Sequence, residues 1–171
     1  MNLFILDEDP WVSARLHCDK HVVKMILEGL QLEQAALYRV NPMNFAKKPG
    51  WTNCPGAIWA AETHSNYYWL CRHTVGLCNE YTWRYGRVHS KDALARFRLS
   101  LARDVTSDST DHPTSGIRTP FYQGVPNDCK QDNAIEAYQL YYNRYKWAFA
   151  KWTNRDVPEW FNPIRELNRH E

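Results

Sequence analysis

Lys20, His21, Lys24 and Glu28 stand at spacings that a helix gathers on one side. At about 100° per residue they share a narrow stripe with Gln31, joined by His17 if the helix begins that early. Two amines, an imidazole and a carboxylate are the set that acid–base or imine-forming chemistry needs. A second cation near a lysine in a low-dielectric cleft lowers the amine's pKa and frees it as a nucleophile. The carboxylate can take or return the proton. The flanking Val22, Val23, Met25, Ile26, Leu27, Leu30 and Leu32 are apolar around most of the circumference. The stripe is therefore expected either to be paired within the core or to line a cavity. The competing expectation is a salt-bridged helix, because Lys24 and Glu28 are four residues apart.

A second stripe, Glu62, Asn66, His73, Glu80 and Arg84, falls near one face of the tract after Pro55 if that tract is continuous. Facing the first, it makes the opposite wall of one site. A break near Ser65 interrupts it, and a solvated face is expected over its C-terminal half. His17 and His21 have a spacing that suits a shared metal, with Cys18 adjacent, but no clear third ligand follows and no Cys-x-x-Cys occurs. No metal or other cofactor is expected. Neither a phosphate-cradling glycine loop nor a Gly-x-Ser-x-Gly motif is present.

Helices must position these groups. Asp9 precedes Pro10 as the cap of a short helix, and Asp19 to about Tyr38 reads as a core helix. Pro55 opens a tract to about Arg84, with Ser65 as a possible cap of its second part and Gly86 as its C-terminal cap. Ser90 to about Arg103 and Asn133 to about Trp152 read as further helices. Residues 2–6 read as a short strand or an extended apolar arm. Residues 104–132, with three prolines and two glycines, read as a long irregular segment of the kind that serves as a lid or binding loop. Val157 to Phe161 is expected to pack back through Trp160 and Phe161.

The fold class expected is all-α: one compact helical bundle over residues 1–171, with at most a minor N-terminal strand. Its 171 residues, 44% apolar and 23% charged, suit a single globular core rather than a disordered or membrane-embedded chain. The opening Met-Asn-Leu-Phe-Ile-Leu lacks the basic start of a signal peptide. Five cysteines then read as reduced thiols of a cytoplasmic protein. Net charge is only +2, so local pattern matters more. Lys47-Lys48, Arg84-Tyr85-Gly86-Arg87, Arg96-Phe97-Arg98, Arg103 and Arg144-Tyr145-Lys146 mix cations with rings, as a phosphate-contacting, base-stacking surface does. A helical protein's solvated face looks the same.

Asp9-Pro10…Ser13-Ala14…Leu16…Asp19-Lys20-His21…Lys24…Glu28…Gln31, with Gly50-Trp51-x-Asn53-x-Pro55…Trp59 and Glu80-Tyr81…Arg84-x-Gly86, resembles a family of small phage and bacterial proteins grouped with pyrimidine-dimer DNA glycosylases. The aromatic tail from Glu136 to Phe161 resembles the phage-encoded branch. The resemblance implies a helical enzyme that takes a nucleotide out of the stack and cleaves its glycosidic bond, with a following lyase step. In that family the N-terminal amine attacks, helped by a glutamate on the first long helix. Here the start is Met1-Asn2, and the matching stretch reads Lys20-His21-Val22-Val23 without that carboxylate. Either Lys20 or Lys24 is then the imine-forming amine with Glu28 assisting, or the chemistry has changed.

The catalytic residues expected are Lys20, His21, Lys24 and Glu28. The DNA-contacting residues expected are His17, Asn53, Trp59, Asn66, Arg84, Arg87 and His89. DNA is the partner implied, in the host cytoplasm for a phage protein, with a protein partner as the other possibility. Three further readings stay open: a transferase making hypermodified pyrimidines in phage DNA, a non-catalytic DNA binder, and a phage protein that blocks a host enzyme.

Overall fold

A computed structural model describes residues 3–104 and 110–164. The helices are α1 (Pro10–Leu16), α2 (Asp19–Val40), α3 (Pro55–Glu62), α4 (His64–Tyr85), α5 (Asp92–Arg103) and α6 (Ala134–Tyr141). Among the described residues there is no strand, and no helix is long and apolar enough to cross a membrane. The all-α expectation holds.

Local chemistry accounts for the boundaries. The Asp9 carboxylate accepts from the amides of Trp11 and Val12 at 2.7 and 3.0 Å, and Pro10 occupies the first turn of α1. Pro55 opens α3 in the same way. Thr63, not Ser65, caps α4: its hydroxyl accepts from the Asn66 amide, in extended backbone that ends α3. Gly86 ends α4 with φ of 66°, a left-handed turn that glycine adopts without strain. The last expected helix stops short of Trp152. α6 gives way at Tyr142 to a π-turn through Lys146, which turns the buried Tyr142 ring toward α2.

α4 is the axis of the bundle. It is buried along most of its length and packs against α1, α2, α3 and α5. Two glycines allow the close approach. A Cβ on Gly29 of α2 would meet the Thr74 Oγ1 at 2.5 Å, and one on Gly76 would meet the Ala14 Cβ at 2.8 Å. Residues 3–6 are the arm rather than a strand. They thread the core with every side chain buried, and the Leu6 amide donates to the Ser13 hydroxyl.

The long irregular segment is a strap rather than an open lid over its described part. The Thr119 amide donates to Asn66 Oδ1 at 2.9 Å, and Asn66 Nδ2 donates to the Thr119 hydroxyl at 2.7 Å. Phe121 wedges between Trp59 and Trp69, with ring centroids 5.5 and 5.0 Å away. Residues 105–109 of that segment lie outside the described residues. The aromatic tail packs back as expected, Trp160 on Tyr142 and Phe161 on Trp152.

Candidate functional site

α2 divides the expected stripe between two environments. Its core side carries His21, Val22, Met25, Ile26, Leu30 and Leu32. Lys20, Val23, Lys24, Leu27 and Gln34 face solvent, with Glu28 and Gln31 half-buried at the edge. The Lys24 ammonium lies 3.2 Å from the Glu28 carboxylate, and its side chain is 70% exposed. The Lys20 ammonium sits 4.7 Å from the centre of the Phe149 ring. Both amines therefore stand on an open face, not in the closed cleft that the flanking apolar residues suggested. Val23 and Leu27, assigned to the core by pattern, belong to that face.

The imidazoles go inward. His17 Nδ1 is 2.8 Å from the Ser13 carbonyl, which can only accept, so this nitrogen carries the proton. Its Nε2 and both ring nitrogens of His73 are buried with no hydrogen-bond partner among the described residues, and the two ring centres are 5.0 Å apart. His21 stacks on Phe4 at 4.1 Å and shares a 2.5 Å hydrogen bond with the Tyr142 hydroxyl. Burial lowers the His17 pKa to about 4. Burial first, then the charges of His17, Lys146 and Lys24, lowers that of His21 to about 2. His73 is held well below the ordinary value, chiefly by burial. At neutral pH all three rings are uncharged. Among the described residues no group of three or more His, Cys, Asp or Glu could hold a metal ion.

Several residues expected at the DNA surface are structural. Trp59 is 2% exposed, packed against Trp69 and Phe121. Asn66 is wholly buried, joining the Trp59 carbonyl to the strap. Arg84 and Glu80 are buried, not on a solvated face. The guanidinium donates to Asp19 at 2.9 Å, to Glu80 at 3.3 Å and to the Arg15 carbonyl at 2.9 Å. Glu80 also accepts from Arg155 at 2.7 Å. A cation with three partners inside the fold has little left for phosphate. Asn53 is exposed and accepts from Arg39 at 3.4 Å. Arg87 is exposed, its guanidinium 5.7 Å from the Tyr81 ring, and the half-buried His89 accepts from the Lys91 amide. These last two stand at the α4–α5 turn.

The open face of α2 continues beyond the residues singled out by spacing. At its C-terminal half, Gln31 and Gln34 form a cavity of about 340 Å³ with the loop that carries Lys47, Lys48 and Trp51. Near its N-terminus, Lys146 lies 4.5 Å from the Tyr141 ring, and its charge acts on His21 together with that of Lys24. Lys20, Lys24, Lys47, Lys48 and Lys146 thus line a surface interleaved with Phe149, Tyr141 and Trp51. The pairs Lys47-Lys48 and Tyr145-Lys146 signal it in the sequence, but only the fold brings them to the same helix. Spacing also missed Glu33, a fully buried carboxyl 3.4 Å from Arg98 whose pKa burial raises to about 7. A larger cavity, about 510 Å³, lies between Glu8 and Ala134, but its cation, Arg118, is already paired with Glu8 and stacked on Phe121.

The chain matches no family model, no curated protein and no solved structure.

Proposed function

We propose that the protein binds DNA along the exposed face of α2 and acts there on a base as a glycosylase, with Lys24 as the attacking amine. Five lysines and three rings along the helix suit a strand whose phosphates pair with ammonium groups and whose bases stack. The observation that carries the chemistry is the Lys24 amine 3.2 Å from the Glu28 carboxylate in that face. Glu28 takes a proton from the ammonium once bound DNA displaces water. The freed amine attacks C1′ of the nucleotide, and the C1′–N bond breaks as the base leaves with the electron pair and picks up a proton. The attached nitrogen passes a proton to O4′ as the C1′–O4′ bond opens, which gives a protonated imine. Water hydrolyses it and releases the lysine amine, or the strand is first cleaved by β-elimination as C2′ loses a proton and the 3′-phosphate leaves.

Borohydride trapping on duplex DNA carrying a thymine dimer or an abasic site tests this. A covalent adduct is expected with the wild type and with Lys20→Ala, and none with Lys24→Ala. A second reading, a DNA binder without chemistry, is favoured by the 70% exposure of the Lys24 side chain, which leaves the amine open to water rather than enclosed in a cleft. It is the conclusion if no adduct forms while salt-sensitive binding persists. In either case Lys47→Ala and Lys48→Ala should each reduce the slope of log affinity against log salt by about one. An unchanged slope would remove the loop from the interface.

A further inference from the structure

We infer that Trp51 and the cavity beneath it form a stacking site for one unpaired nucleobase of a polynucleotide strand. The inference rests on the DNA-binding reading of the α2 face and specifies what the far end of that face selects.

Trp51 has a φ of 66°, in the left-handed region that a bulky side chain rarely enters. The residue is 56% exposed, as Trp83 is at 62%, whereas Trp59, Trp69 and Trp152 are each less than a tenth exposed. The backbone around it is pinned. The Trp51 carbonyl accepts from the Cys54 amide at 3.0 Å, Thr52 is buried, and the Thr52 carbonyl accepts from Arg39 at 3.0 Å. Core packing does not explain a strained backbone that presents a large ring to solvent. A site for a ligand does.

The cavity says what the ligand is. It is lined by Trp51, Gln31, Gln34, Lys47 and Lys48, together with Pro49 and Gly50. An indole face stacks on any base. Each amide offers both a donor and an acceptor, matching the mixed polar edge of a nucleobase. The two ammonium groups suit the flanking phosphates. At about 340 Å³ the cavity is at the small end of ligand sites, enough for a single base and its sugar rather than a stacked pair. Gln31 is seven residues beyond Lys24, about 10 Å along the helix axis, or roughly three nucleotide steps. A strand lying on the face can therefore reach both places at once. A fully paired duplex cannot offer the cavity a base, so the site prefers single-stranded or locally opened DNA.

The test compares the affinities of wild type, Trp51→Gly and Trp51→Phe for a fluorescently labelled oligothymidylate and for a paired duplex of the same length. Glycine removes the ring and suits the left-handed backbone, so this variant keeps its fold and melts no lower than wild type. Trp51→Gly should weaken single-strand binding by about 5- to 100-fold and duplex binding by less than about 2-fold. Trp51→Phe should retain most of the single-strand affinity. Single-strand affinity unchanged in Trp51→Gly, or equal losses on both DNAs, would overturn the stacking site while leaving the DNA-binding face intact. A wild type that binds neither DNA at low salt would overturn that face and the stacking site together.

Discussion

The Arg84 guanidinium donates to the Asp19 carboxylate at 2.9 Å, fastening the last turn of α4 to the first turn of α2. Asp19 also accepts from the amide and hydroxyl of Thr153, and the Lys151 carbonyl accepts from the Asp19 amide. One buried cation therefore fixes where α2 begins, how the tail crosses it, and hence where Lys20 and Phe149 meet.

Removing that cation leaves Glu80 buried with Arg155 as its remaining partner. Arg84→Met should destabilise the fold by about 3–5 kcal/mol, the usual cost of breaking a buried ion pair from one side. Urea denaturation at neutral pH measures it. On the proposed DNA-binding reading, affinity per folded molecule stays near that of wild type, because Arg84 faces inward. A large affinity loss in a variant that remains folded would return Arg84 to the binding surface.

The buried imidazoles set an acid limit. His17 titrates near 6.5 when unfolded and near 4 when folded. Between those values the unfolded chain holds the extra proton, so stability is present in full above pH 6.5, falls as pH drops toward 4, and levels off below. The shift corresponds to about 3 kcal/mol for this group alone. His21 and His73, lowered in the same direction, steepen the loss and extend it to lower pH. Denaturant titrations at several pH values should show this slope, and His17→Gln should flatten it. A slope identical in the variant would assign the acid sensitivity elsewhere.

The α2–α4 crossing depends on the missing side chain of Gly29. A Cβ there meets the Thr74 hydroxyl oxygen at 2.5 Å. Gly29→Ala should cost about 1–3 kcal/mol by overpacking. Adding Thr74→Ala removes the opposing atom and should recover much of that loss, so the two changes couple in a double-mutant cycle. Additive losses would show that the helices shift apart instead.

Much of the architecture was legible in residue order because the signals are local. Asp9-Pro10 caps a helix by its own hydrogen bonds and ring geometry, Cys54-Pro55 starts another, and Gly86 ends a third with a backbone angle few residues tolerate. The candidate site was legible only in part. Lys24 and Glu28 pair as their spacing requires, but spacing could not show that the pair lies in the open, nor bring Trp51 from the loop after α2 and Lys146 from the π-turn after α6 to that helix.

Residue order marks the helical segments and puts Lys20, Lys24, Glu28 and Gln31 on one side of α2, although it carries the last helix on toward Trp152 where α6 ends at Tyr141. Which side of α2 meets the core is set by packing. With apolar residues around most of α2, periodicity fixes relative azimuth but leaves the rotation of the helix open. Gly29 against Thr74, Phe4 against His21 and Arg84 against Asp19 settle that rotation, sending the imidazoles inward and the lysines out. Arg84 and Glu80 go inward for a related reason. A buried charge is stable only with partners, and those partners come from α1, α2 and the tail, which the chain brings together only on folding.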